Sequence, residues 1–389
     1  MRLKQAVWKT IVGGHLIAAA AMAQSPTYKV IDLGTVGLNG QPFAITKNGL
    51  IAGAAQTGDI LSAEVWYKGQ VTDLGQPGLK GKNSQAFSVN AWGQAVGEAQ
   101  TGSPDPQGED FCGFAALGLA SSGTTCLAFV WQNGVMNPLP ALGGNNGVAN
   151  QIDSQGEVVG MAEQDTPDST CPSGGPQKFE FKPVVWQNRY VRELPTYPGD
   201  PDGNAHAIND RGQAAGGSGV CAAFNPIWLT NLQPLHALLW EGGKTTDLGS
   251  LGGTGHGDGI TSLNLNNHGQ VIGSSDLQGD ATFHAFLWTR ETGMQDLETL
   301  QGDVDSAAIG INDIGQIVGV SLDANFNPRA FLRQGQELID LNTLVPGGSP
   351  LDLASACSIN TAGEIVGFAF DNSGNVHAYL AVPNNASQN

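Results

Sequence analysis

The chain has 389 residues, with 17 Lys+Arg against 35 Asp+Glu and a formal charge of −18 at pH 7. That balance argues against nucleic acid or an anionic membrane surface as a partner. Only 13% of residues are charged, while 55 are glycine and 40% are hydrophobic, which suits a turn-rich all-β protein with a buried core rather than a disordered chain.

Residues 1–23 begin with Arg2, Lys4 and Lys9, continue through an apolar run over 11–21, and end in Ala21-Met22-Ala23. This is the pattern of a signal peptide, with cleavage expected before Gln24. A membrane anchor is the rival reading, but the apolar run is short of the ~20 residues a spanning helix needs. Without its three leader cations the mature chain has 14 Lys+Arg against 35 acids, or −21. It is expected to be secreted or periplasmic, without membrane insertion, and monomeric.

From residue 41 onward one pattern recurs. Its clearest copy is Gly310-Ile311-Asn312-Asp313-Ile314-Gly315-Gln316-Ile317-Val318-Gly319. Two short apolar runs flank a turn whose Asn and Asp hydrogen-bond their own backbone and whose Gly accepts positive φ, so each copy reads as a β-hairpin. The turn glycines are Gly49, Gly93, Gly156, Gly212, Gly269, Gly315 and Gly363, each followed four residues later by a second glycine. No helix pattern follows them, which argues against phosphate loops. After each hairpin come a third run, such as His284-Ala285-Phe286-Leu287-Trp288, and a fourth, such as Met294-Gln295-Asp296-Leu297. Four strands per unit of ~40–45 residues is the signature of propeller blades.

The expected blades are 41–75, 84–140, 147–195, 205–249, 260–298, 306–342 and 354–382, the last completed by 28–34. Residues 28–33 read as a fourth strand lacking its first three, and 377–381 as a third strand lacking its fourth. Pairing them closes a seven-bladed β-propeller and removes an exposed edge. Residues 24–389 thus form one domain. Trp66, Trp131, Trp186, Trp240 and Trp288 end the third strands and are read as packing between blades, with sugar stacking as the alternative.

Insertions at 100–125, 163–182 and 218–234 separate the second and third strands of blades 2, 3 and 4. They gather on one face, where long loops on a rigid scaffold commonly carry function. Asp105, Glu109, Asp110, Asp165, Asp168, Phe224 and Trp228 are the candidate binding residues there. The partner class is an extracellular glycan or protein. The alternative is a polysaccharide hydrolase or lyase using acids from the same loops, although no spacing marks a carboxylate pair.

Five cysteines occur. In an oxidising compartment Cys112 is expected to pair with Cys126 within one insertion, and Cys171 with Cys221 between neighbouring ones. Cys357 is read as a buried free thiol. No Cys-x-x-Cys favours zinc, and no metal or cofactor is expected, save that Asp200-Pro201-Asp202-Gly203-Asn204 offers alternating oxygens to calcium or, more simply, forms a turn. No Gly-x-Ser-x-Gly, His-Glu-x-x-His or Walker-type motif occurs. His236, His284 and His377 recur at the start of the third strand, which favours a structural bond across blades over metal binding. His206, His256 and His268 are read as surface residues.

The His284–Trp288 run, Asp296-Leu297 and the 310–319 hairpin together resemble the bacterial extracellular HAF-repeat family, named for His-Ala-Phe. Residues 236–253, with Asp247-Leu248-Gly249-Ser250-Leu251-Gly252-Gly253, are similarly close. The resemblance covers most of the mature chain, apart from the insertions. It implies a secreted, propeller-like protein and carries no catalytic residues. The polar end over 384–389 lacks the sorting helix of some family members, which favours release or periplasmic residence.

Overall fold

The structure, a computed structural model, describes residues 26–35, 42–75, 78–109, 111–114, 119, 123–172, 177–188, 190–221, 235–254 and 263–384. The expected leader, 1–23, lies outside them. The described chain forms seven antiparallel sheets of four strands each. The first strands of the blades are Pro42–Ile45, Lys80–Val89, Gly143–Ile152, Asp202–Ile208, Asn264–Leu265, Asp305–Ile311 and Asp352–Ile359. They neighbour one another around a central axis, with the second, third and fourth strands stepping outward. This is the expected seven-bladed β-propeller. The one helical element among the described residues is a 3₁₀ turn at Leu341–Leu344, and no helix there is long and apolar enough to cross a membrane.

Tyr28–Thr35 is the outermost strand of blade 7. It pairs antiparallel with Val376–Pro383 from Tyr28↔Pro383 to Thr35↔His377, with one register shift between Asp32 and Gly34. The sealed edge matches the expected closure. Tyr28 is buried beside Tyr379, Leu353 and Ala356, so apolar packing supports the pairing.

Every joint between blades has its own apolar cluster. Blades 5 and 6, for example, share Leu287, Leu297, Ile317 and Phe331. A fully buried side chain of this size contributes about 1.5–3 kcal/mol. The tryptophans pack as expected, each against the preceding blade. Trp186 and Trp240 also donate their indole N–H to Pro140 O and Pro195 O, at 2.8 and 2.7 Å.

The recurrent asparagine does more than shape its turn. Its Oδ1 accepts from the backbone two and four residues on, as Asn360 does from Ala362 N and Glu364 N. Its Nδ2 reaches the next blade. Asn90 donates to Asp153 O, Asn209 to Asn266 O, Asn266 to Asn312 O, Asn312 to Asn360 O and Asn360 to Thr46 O, at 2.9–3.1 Å. The glutamine after the turn glycine accepts from the same amide, as in Asn312 Nδ2 to Gln316 Oε1 at 2.8 Å. One short motif, Asn-x-x-Gly-Gln, thus closes its own turn and clasps its neighbour.

In six of the seven blades, among the described residues, the second glycine stands opposite a β-bulge. In blade 6 the register slips between Ala308 and Gly310, which crowds the first strand against the second. A Cβ on Gly319 would lie 2.0 Å from Ala307 O. The extra residues of these bulges are Phe43, Phe87, Asn150, His206, Ile309 and Cys357. Phe43 and Phe87 meet edge to face at 5.1 Å.

Two expectations about histidine need correction. His284 and His377 bond within their own blades, to Asp296 (2.9 Å) and Asp32 (3.0 Å) of the fourth strand. Arg329 does the same to Asp340 in blade 6. Only His236 reaches a connection between blades, at Asp200. His206 is not a surface residue: its Nδ1 is buried without a partner in the first strand of blade 4, and burial pushes its pKa down to about 4. His268 is exposed in its turn, and His256 lies outside the described residues.

Candidate functional site

The insertions of blades 2, 3 and 4 leave from the ends of the second strands, Ala95–Pro104, Val158–Pro167 and Ala214–Gly219. They return at Thr124–Gln132, Phe179–Gln187 and Leu235–Glu241. Blades 5 to 7 make tight turns at the same place. Asp323, for example, accepts from Asn325 N and Asn327 N at 2.7 and 3.0 Å.

Both expected disulfides are present. Cys112–Cys126 draws the blade 2 insertion onto its own third strand, with Cα atoms 5.7 Å apart. Cys171–Cys221 joins the blade 3 and blade 4 insertions, with Cα atoms 4.9 Å apart. Phe114 and Leu119 pack with Ala54 and Leu61 of blade 1 beside the first bridge. Phe111 stacks on Phe181 at 4.8 Å, and Lys178 N donates to Glu109 Oε1 at 2.6 Å, so blades 2 and 3 interlock as well. Cys221 N donates to Thr170 Oγ1 at 2.9 Å. Cys357 is buried and free, and burial pushes its thiol up to about 12.

The candidate acids divide. Asp165 is exposed, whereas Asp105, Glu109 and Asp168 are buried. Asp105 Oδ1 accepts from Gln107 N and Gly108 N, and Asp168 Oδ1 from Thr170 N and Thr170 Oγ1, all at 2.7–2.9 Å. These two acids organise turns. Burial, reinforced by the facing Glu163, pushes the Glu109 pKa up to about 8. Asp110, Phe224 and Trp228 lie outside the described residues.

Sequence reasoning missed Asn146 and Glu163, which bind the buried acids together. The available signal was strand alternation: Glu163 follows Val159 and Met161 on one register of a second strand.

Residues 200–204 do not converge on one point. Asp200 Oδ2 accepts from Ser218 Oγ (2.6 Å) and His236 Nδ1 (2.8 Å), and Asp202 accepts from Phe181 N and Gln177 Nε2, both at 2.8 Å. Asn204 Oδ1 accepts from Asn150 Nδ2. Burial pushes Asp202 up to about 8. The Ser218–Asp200–His236 arrangement places the carboxylate in the middle, so the imidazole does not take the serine proton. His236 instead stacks on Tyr197 at 3.6 Å.

The opposite face carries the hairpin turns. A cleft of about 570 Å³ opens there between blades 4, 5 and 6, floored by Trp288 and walled by Arg211, His268 and the Arg290–Glu241 ion pair.

No family model matches the chain, and no curated protein sequence matches it. Among solved structures it is similar to the β-propeller domain of the trilobed protease from Pyrococcus furiosus, at 8% identity and a TM-score of 0.48, over 91% of this chain and 95% of that one. An acylaminoacyl peptidase of Pyrococcus horikoshii matches at 8% identity and a TM-score of 0.47, over 88% of this chain but only 50% of that one. Trypanosoma rangeli sialidase matches at 8% identity and a TM-score of 0.41, over 92% and 60% of the two chains. The chain therefore spans about half the length of that peptidase, and the likeness is one of fold.

Proposed function

We propose that this is a binding propeller, which holds an extracellular glycan or protein on the face carrying the blade 2–4 insertions. One observation supports the reading above the others: the three insertions are locked together, by the Cys171–Cys221 bridge, the Phe111–Phe181 stack and the Lys178–Glu109 bond. Loops ordered before contact avoid part of the ordering cost of binding. The rival hydrolase or lyase would draw on the same acids, yet Asp105, Glu109 and Asp168 spend their oxygens internally. Export and HAF-repeat membership belong to the same reading. Their support is the leader pattern, the blade motif and two disulfides of the kind that persist in oxidising compartments.

The test is a glycan and envelope-protein array at micromolar concentration, using the full chain and two variants. One variant replaces residues 168–178 with the turn 323–327 and carries Cys221→Ser. The other is Arg211→Ala on the opposite face. Binding lost only in the first supports the reading, and binding lost only in the second refutes it. Hydrolysis of a polysaccharide panel that disappears in Asp165→Asn would favour the enzyme instead.

A further inference from the structure

We propose that the cleft on the turn face, between blades 4, 5 and 6, is a second binding site, which takes a carboxylate-bearing sugar of the hexuronic acid class. This goes beyond the reading of the insertion face and does not rest on it. One departure from the repeat opens the cleft. The residue after the third-strand tryptophan is Gln132 in blade 2, Gln187 in blade 3 and Glu241 in blade 4, but Thr289 in blade 5. The long side chains bond to the residue that follows the turn glycine. Gln94 Nε2 donates to Gln132 Oε1 at 3.4 Å, Gln187 Nε2 to Glu157 Oε1, and Gln213 Nε2 to Glu241 Oε1 at 2.6 Å. Thr289 is too short for this bond and meets Thr292 Oγ1 instead, at 2.8 Å. The space beside Trp288 is left open, to about 570 Å³.

The same departure leaves a donor unanswered. Gln270 lines the cleft, and its Oε1 accepts from Asn266 Nδ2 at 2.7 Å. Its Nε2 makes no hydrogen bond among the described residues. Arg211 of the blade 4 turn also lines the cleft and is exposed. Among the described residues its guanidinium forms no ion pair. The turns that carry these groups are tied together before any ligand arrives. Asp210 N donates to Asn267 Oδ1 and Asn267 N to Asp313 Oδ1, both at 2.9 Å.

The lining selects the ligand. A guanidinium fork matches a carboxylate through two parallel hydrogen bonds. Glu241 and Glu291 line the same cleft, and like charge so close disfavours a phosphate dianion. Arg290 and Gln213 answer Glu241. Glu291 is exposed, forms no ion pair among the described residues, and can accept from hydroxyls. Trp288, 7% exposed and held in the cluster shared by blades 4 and 5, makes an apolar floor, and Ile314, 68% exposed, adds to the lining. A sugar ring with one carboxylate, several hydroxyls and an apolar C–H face meets each of these groups. An acidic peptide shares the carboxylate but has no ring of hydroxyls for Glu291 and Gln270.

The experiment is isothermal calorimetry on the full chain with digalacturonate, with galactobiose as the neutral counterpart and a Glu-Glu dipeptide as the acid without a sugar. The expected result is saturable one-to-one binding of digalacturonate. It should be at least about tenfold tighter than that of either comparison ligand, and Arg211→Ala should weaken it by at least about tenfold, the worth of one hydrogen bond to a charged group. Arg211→Lys should recover only part of that loss, because an ammonium lacks the fork. Thr289→Gln, which restores the side chain of blades 2 and 3, should weaken binding as well. Arg192→Ala removes an equal charge from the outer strand of blade 3, Tyr190–Glu193, and should bind as the parent does. No heat with digalacturonate would overturn the site. So would binding undiminished in Arg211→Ala or in Thr289→Gln, or a comparison ligand that binds as tightly. The insertions are intact in all these proteins, so failure here leaves the insertion-face reading standing, and failure of that reading leaves this site standing.

Discussion

Asp153 holds in blade 3 the position that asparagine holds in blades 2, 4, 5, 6 and 7. Its Oδ1 makes the same turn bonds, to Gln155 N and Glu157 N at 2.8 Å. Its Oδ2 replaces the clasping Nδ2 and is left buried without a partner. Burial raises its pKa above the ordinary carboxylate value of 3.8, because loss of water disfavours the charged form, and the nearby Asp210 charge adds to the rise. A folded-state pKa raised in this way stabilises fully below the unfolded value, and the benefit is lost as pH rises through the folded one. Asp153→Asn should therefore stabilise the protein at pH 7 by about 0.5–1.5 kcal/mol, one net hydrogen bond. The gain should shrink toward pH 3, as read by urea unfolding at both pH values. Gly319→Ala is the converse case. With Ala307 O only 2.0 Å from the new Cβ, it should cost about 1–3 kcal/mol, as overpacking does, and lower the urea midpoint. At this scale the sequence was only half legible. The asparagine repeat was visible, but a turn acid that faces inward, such as Asp105 or Asp168, is spelled like one that faces water.

Tyr28–Thr35 is the element on which the ring depends. It contributes Tyr28 to a core cluster, a full antiparallel ladder to Val376–Pro383, and Asp32 as acceptor for His377. A chain shortened by residues 26–35 should lose stability and expose the Val376–Pro383 edge, and free edges template association. Light scattering should report oligomers of that truncated chain at concentrations where the parent stays monodisperse. The pairing was legible because two incomplete strand sets had complementary deficits. Likewise the Cys171–Cys221 pairing followed from blade adjacency, and the Cys112–Cys126 pairing from a shared insertion. The internal use of the insertion acids was not legible, since it depends on Asn146 and Lys178, which approach Asp105 and Glu109 only after the blades stack.

As a whole the molecule is two-faced. One face carries the cross-linked insertions over blades 2 to 4, while the other is a nearly regular circle of turns, interrupted where Thr46 and Asp153 replace asparagine. The circle accounts for the clarity of the repeat, because each copy must fit both itself and the next. The insertions escape that demand, so their sequence varies and says least about what they hold.

The seam between first and last strands also orders events in time. During synthesis, or in any passage through a pore from the amino end, Tyr28–Thr35 emerges early and waits for a partner that arrives last. Through that interval the sixth sheet has no blade 7 beside it, and its Leu332 and Leu341 stay uncovered. Maturation is thus gated by delivery of the final strand, and a helper that shields the early one would be most useful in that interval.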